Sequence, residues 1–230
     1  MIDIWWSLPL TIVVFLLARK LADKIKLAIV NPLLITVAVI IALLITLHMP
    51  YARYFQGNAL LNTLVQPAVV ALALPLYEQL PHIRRNWKSV ICACFVGSVA
   101  AMVSGTAIAL WMGATPDIAA TVLAKSVTMP VAIAVSEPLG GIPAISAISV
   151  FVAGMSGGIL GYIIFNLLRI RFSAARGLAM GAASHAIGTA KAVESNALEG
   201  AFCSLAMVLC AIITSLLAPF IFPPLLRFLG

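Results

Sequence analysis

Ala124-Lys-Ser-Val-Thr-Met-Pro-Val-Ala-Ile-Ala-Val-Ser-Glu137 and Ala183-Ser-His-Ala-Ile-Gly-Thr-Ala-Lys-Ala-Val-Glu194 are apolar segments interrupted by a lysine, hydroxyls and a helix breaker. The chain around them has 230 residues, of which 63% are hydrophobic and 9% charged, with a mean hydropathy of +1.14. A soluble domain carries about 25% charged residues, so the composition places this chain in a bilayer. There an unpaired charge costs at least about 2.5 to 3.5 kcal/mol, and polar residues survive where they face protein or a water-filled interior. Paired Gly/Pro-interrupted segments are the sequence pointer to a transporter's binding site.

Outward from these segments, apolar runs occupy 4–18, 29–48, 58–79, 87–113, 141–168 and 197–222. Each approaches or exceeds the roughly 20 residues that cross a bilayer. The net charge of +7 needs no nucleic acid to explain it. Arg19, Lys20, Lys24 and Lys26, then Arg84, Arg85 and Lys88, then Arg169, Arg171 and Arg176 all fall between runs, which makes three loops cytoplasmic by the positive-inside rule. The loops around 50–57 and 113–117 carry Arg53 as their one positive charge and are placed outside, as is the N-terminus. Asp117 outside and Arg169 inside then require an odd number of crossings between them. The simplest solution makes 118–140 a re-entrant hairpin from outside and 177–195 another from inside. Irregular backbone at membrane depth is tolerated only inside protein or beside a water cavity. The expectation is an all-α polytopic membrane protein with about six full spans and two opposed re-entrant or broken segments, in an inverted-repeat, transporter-like core. Full crossing of both segments, giving eight spans, is the alternative. Residues 1–230 read as a single transmembrane domain, with 1–80 as scaffold or oligomer-contact spans and 87–230 as the core.

Within the first segment Pro130 suits a helix start, where its missing donor is harmless, and Thr128 is the candidate N-cap. In the second, Gly188 is the expected break, Thr189 the cap, and Lys191 lies one turn on. Exposed amides at a helix start attract carboxylate or phosphate. Lys125, Ser126, Thr128 and Pro130 are therefore expected to bind a small anion together with Ser184, His185, Gly188, Thr189 and Lys191. Both lysines can instead snorkel, and Lys191 has Glu194 as an alternative partner. His185 can titrate or bond a carbonyl. Glu137 and Glu194 close the two segments and are, with His185, candidates for proton coupling or for interface positions. Cys92, Cys94, Cys203 and Cys210 lie in apolar runs without the spacing of a metal site, so neither a metal nor another cofactor is expected. Adjacent Ser184 and His185 lack an orienting carboxylate, which speaks against an enzyme. Gly154-x-x-x-Gly158, Gly157-x-x-x-Gly161 and Gly177-x-x-x-Gly181 permit close helix approach, within one chain or in a dimer.

Lys125-Ser-Val-Thr-Met-Pro130, Ala183-Ser-His-Ala-Ile-Gly-Thr-Ala190, Gln66-Pro-Ala-Val-Val-Ala-Leu-Ala-Leu-Pro-Leu-Tyr77 and Glu137-Pro-Leu-Gly-Gly-Ile-Pro143 closely resemble the LrgB/CidB family of bacterial inner-membrane proteins. The resemblance covers nearly the whole chain. It implies a multi-pass protein of the inner membrane and a holin-like partner of the LrgA/CidA type. Two functions are attached to it. One is modulation of murein hydrolase export and cell lysis. The other, through a plastid glycolate/glycerate translocator and bacterial relatives linked to pyruvate, is transport of small monocarboxylates. The transporter agrees with the anion site read from the residues; the holin-like role is the alternative.

Overall fold

A computed structural model describes residues 6–25, 31–71 and 73–229. Residues 1–5 and Lys26, used above to orient the chain, lie outside them. Among the described residues the regular structure is helical, and the chain divides into two compact units, Met1–Ala71 and Leu72–Gly230. The first unit holds α1 (Ser7–Ile25), α2 (Pro32–Thr46), α3 (Tyr51–Gly57) and α4 (Ala59–Ala71). Asn31 caps α2 by accepting from the Leu33 amide at 2.8 Å, with Pro32 at the first helical position. Thr11 of α1 ties this unit together, 2.7 Å from the Tyr54 hydroxyl and donating to Asn58 Oδ1 at 3.0 Å.

The second unit opens with two short helices, α5 (Ala73–Glu78) and α6 (Leu80–Arg85), and continues through α7 (Trp87–Trp111), α8 (Pro116–Leu123), α9 (Met129–Ser136), α10 (Pro143–Leu167), α11 (Ser173–Ser195) and α12 (Ala197–Leu229). Among the described residues α7, α10 and α12 are the three helices long and apolar enough to cross a membrane. Among the described residues the run at 29–48 holds the 15-residue α2, and the run at 58–79 holds α4, which contains Pro67, and α5, on either side of Leu72, which lies outside them. Helices α7 and α12 run parallel. Val90 and Cys94 pack with Phe202, Ala206 and Cys210 near their starts, and Met102 and Leu110 with Ala218 and Phe222 toward their ends.

Both interrupted segments are hairpins. After α8 the chain leaves helical geometry over 124–128, restarts as α9, and returns so that the Ile142 amide donates to Thr121 Oγ1 at 2.8 Å. In a continuous helix those residues would stand about 30 Å apart. Gly140 makes the turn into α10 at φ +87°, and the Ser136 and Ser146 hydroxyls meet at 2.6 Å beside it. The second reversal lies inside α11, at His185, with φ 40° and ψ −130°. A Cβ placed on Gly188 would sit 3.0 Å from the Met180 carbonyl, whereas a straight helix separates those residues by about 12 Å. The limb 173–184 runs parallel to α12, with Gly177 beside Phe202 and Gly181 beside Ala206. The limb 186–195 runs back, with Thr189 Oγ1 3.3 Å from Cys203 Sγ and Val193 packed on Gly200.

Candidate functional site

Helix α10 sets the two hairpins against each other. The first is fastened at Ile142, the start of α10, and the second at Tyr162, whose hydroxyl lies in a cluster with Arg176 and Glu199. Those two points are about 30 Å apart along a helix rising about 1.5 Å per residue. The hairpins enter from opposite ends and their tips meet near the middle.

Where they meet lies a cavity of about 760 Å³. Gly97 and Ala101 of α7, Val122, Lys125 and Ser126 of the first hairpin, and Ala179, Ala182 and Ala183 of the second line it. The facing wall is α10, with Ile145, Ile148, Ser149, Val152, Ala153, Ser156 and Gly157. The small residues leave the volume open, and the wall is apolar apart from a few hydroxyls and one ammonium. Lys125 Nζ donates to the Ala101 carbonyl at 3.4 Å, a long bond for a charged donor. The side chain lies against α7 at Gly105, where a Cβ would stand 3.1 Å from both Cε and Nζ. Ser184, fully buried beside Gly157, has a hydroxyl without a hydrogen-bond partner, as have Ser98 and Thr106 of α7.

The structure brings together part of the expected set. Lys125 and Ser126 line the cavity, and Ser184 borders it through Gly157. Thr128 does occupy the N-cap position of α9, without a side-chain cap bond, and Pro130 follows in the first turn; neither faces the cavity. The second break falls at His185 and not at Gly188, because the reversal uses a positive φ at the histidine while Gly188 is packed against Ser184 and Met180. Thr189 is correspondingly no cap: its hydroxyl donates to the His185 carbonyl one turn back at 2.8 Å. His185 is buried with Nε2 3.0 Å from the Val150 carbonyl. Lys191 lies outside the cavity, 3.6 Å from Glu194, with both side chains more than half exposed. Glu137 is exposed at the end of the first hairpin. Outside the spans, the Thr115 hydroxyl and then the amides of α8's first turn hold the Asp117 carboxyl below its usual range.

One polar centre escaped the sequence reading. Glu199 is 3% exposed; Tyr162 donates its hydroxyl to Glu199 Oε2 at 2.9 Å, and Arg176 lies 3.6 Å from Oε1. The signal was present, since Glu199 stands inside the apolar run 197–222, where a carboxylate is costly without partners.

The LrgB-like family model matches residues 11–223. An uncharacterized protein of Haemophilus influenzae is 46% identical over 213 residues, covering 93% of this chain and 92% of its own. Protein YwbG of Bacillus subtilis is 37% identical, covering 94% of this chain and 96% of its own. The holin-like protein CidB of Staphylococcus epidermidis is 36% identical, covering 91% and 92%. No solved structure matches.

Proposed function

We propose that this chain, which belongs to the LrgB-like family, is a membrane carrier for small monocarboxylates of the glycolate, glycerate, lactate, pyruvate and 3-hydroxypropionate kind. The observation that carries this reading is the Lys125 ammonium in a cavity between two opposed hairpin tips. An ammonium has three donors, and here one long bond to Ala101 is the hydrogen bond it makes. A carboxylate would complete its shell, with the Ser126 hydroxyl as a further donor and the unpartnered Ser184 hydroxyl buried behind Gly157. Apolar walls with a few convergent polar groups are the usual make-up of a small-molecule site. Alternating access then amounts to movement of one hairpin tip relative to the other.

A second reading is a holin-like modulator of murein hydrolase export and lysis, working beside a small LrgA/CidA-type membrane protein. The relatives named CidB favour it, and their names speak for it more directly than for a carrier. Either reading belongs in the bacterial inner membrane, and a homo-oligomer, such as a dimer, is compatible with both.

Sealed proteoliposomes distinguish them. A carrier gives saturable, competable uptake of C2 to C4 acids with counterflow, while a pore gives flux proportional to the gradient. Lys125→Met should weaken apparent affinity about tenfold or more, since a hydrogen bond to a charged group is worth roughly 1.5 to 3 kcal/mol. Non-saturating passage of unrelated solutes, unchanged in Lys125→Met, would decide for the holin-like reading.

A further inference from the structure

The second hairpin lies between two walls in close backbone approach. On one side the glycines of α10 face it: Gly154 against His185, Gly158 against Ile187, and Gly161 against Met180. On the other, its own Gly177 and Gly181 lie against the backbone of α12. Small residues on both faces bring the backbones close, and Met180, His185 and Ile187 are the hairpin side chains that project onto the α10 glycines. Besides the Thr189 hydroxyl beside Cys203, its polar fastenings stand at its two ends. At the tip, His185 meets the Val150 carbonyl. At the base, Arg176 lies over the rings of Tyr162 and Phe165, at 5.0 and 5.5 Å, and reaches toward the buried carboxylate of Glu199. Tyr162 closes the triangle by donating to the same carboxylate. Ser195, at the end of the returning limb, also approaches the Tyr162 hydroxyl, so both limbs come to one side chain.

We propose that Arg176, Glu199 and Tyr162 form the clamp of the second hairpin: positioning residues that hold its 183–185 tip at the cavity and about which the hairpin swings. The buried carboxylate lacks a purpose in the cavity itself, which lies toward the other end of the hairpin. A charge-assisted bond at the base of the hairpin is placed to set the position of its tip. The consequence for flux rests on the carrier reading above; the clamp does not.

A cysteine-free background carrying Ala183→Cys reports the second tip, and a separate protein carrying Ser126→Cys reports the first. Glu199→Gln should speed labelling of the Ala183→Cys reporter by a water-soluble maleimide about tenfold, the factor corresponding to one lost charge-assisted bond. The Ser126→Cys reporter should keep its rate. Exchanging the partners in Arg176→Glu with Glu199→Arg should bring the first rate back toward the parent. Should Glu199→Gln fail to fold, Tyr162→Phe removes one hydrogen bond, keeps the ring beneath Arg176, and should give a smaller rise at the same reporter. Unchanged labelling at Ala183→Cys in whichever of these variants folds, or equal rises at both reporters, would overturn the clamp. Intact labelling behaviour with no uptake of any acid would leave the clamp standing and remove the carrier reading.

Discussion

An ammonium 3.4 Å from a single carbonyl is under-coordinated, and the remaining donors of Lys125 are what the anion site proposed above rests on. Lys191 has a carboxylate partner in Glu194 and stands on an exposed surface. A pair of that kind contributes about 0 to 1 kcal/mol, so Lys191→Met should leave stability and uptake within error of the parent while Lys125→Met loses affinity. Loss of uptake in Lys191→Met would show that the second lysine enters the site during the cycle. His185 pairs backbone strain with a hydrogen bond. Its φ of 40° and ψ of −130° lie where a side chain costs about 1 to 3 kcal/mol, and its bond to Val150 offsets part of that. His185→Gly should therefore keep the reversal, with thermal stability near the parent's. His185→Val, β-branched and unable to make the bond, should lose more than about 2 kcal/mol. Equal stabilities of the two variants in detergent would refute the assigned reversal.

At the scale of elements, the glycines divide into two kinds. Gly140 turns the chain at φ +87° with open space around its missing side chain. Gly140→Ala should cost about 1 to 2 kcal/mol through backbone strain alone and leave the cavity unchanged. Gly181 is a contact glycine, whose added methyl would press on the Cys203 carbonyl and the Ala206 methyl of α12. Backbone cannot yield as a flexible side chain does, so Gly181→Ala should cost about 1 to 3 kcal/mol and also displace the hairpin that carries Ala182 and Ala183. Calorimetry reads the first effect, and maleimide labelling of Ala183→Cys reads the displacement. A Gly181→Ala protein with parental labelling would mean that the two backbones can separate without moving the tip. These contacts also use the small-residue faces inside one chain, a use that sequence spacing alone could not separate from dimerisation.

For the whole molecule, the two reversals make a claim about sidedness. Asp117 and Pro138 flank the first hairpin and should label from one face of the membrane as Asp117→Cys and Pro138→Cys. Ser173 and Asn196 flank the second and should label from the other face. Labelling of Pro138→Cys from the face opposite Asp117→Cys would show that the segment crosses fully, and the eight-span alternative would replace the hairpins. The same geometry places one hairpin fastening at each end of α10 and leaves the middle for the cavity.

The membrane class, the all-helical architecture, the existence of two interruptions and the candidacy of Lys125 were all legible in residue chemistry. A lysine or hydroxyl in an apolar run is costly wherever the chain goes, and the cost is visible locally. Tertiary structure decided the rest. The second reversal sits at His185, three residues before the glycine that seemed to invite it, because Gly188 is needed as a contact surface against Met180 and Ser184. Lys191 looked equivalent to Lys125 by spacing, but the returning limb leaves it exposed beside Glu194 and outside the cavity. Glu199, Arg176 and Tyr162 are separated by up to 37 residues in the sequence and meet only because the hairpin doubles back between α10 and α12. Local composition reveals that a polar group must be satisfied; which partner satisfies it is a long-range property of packing.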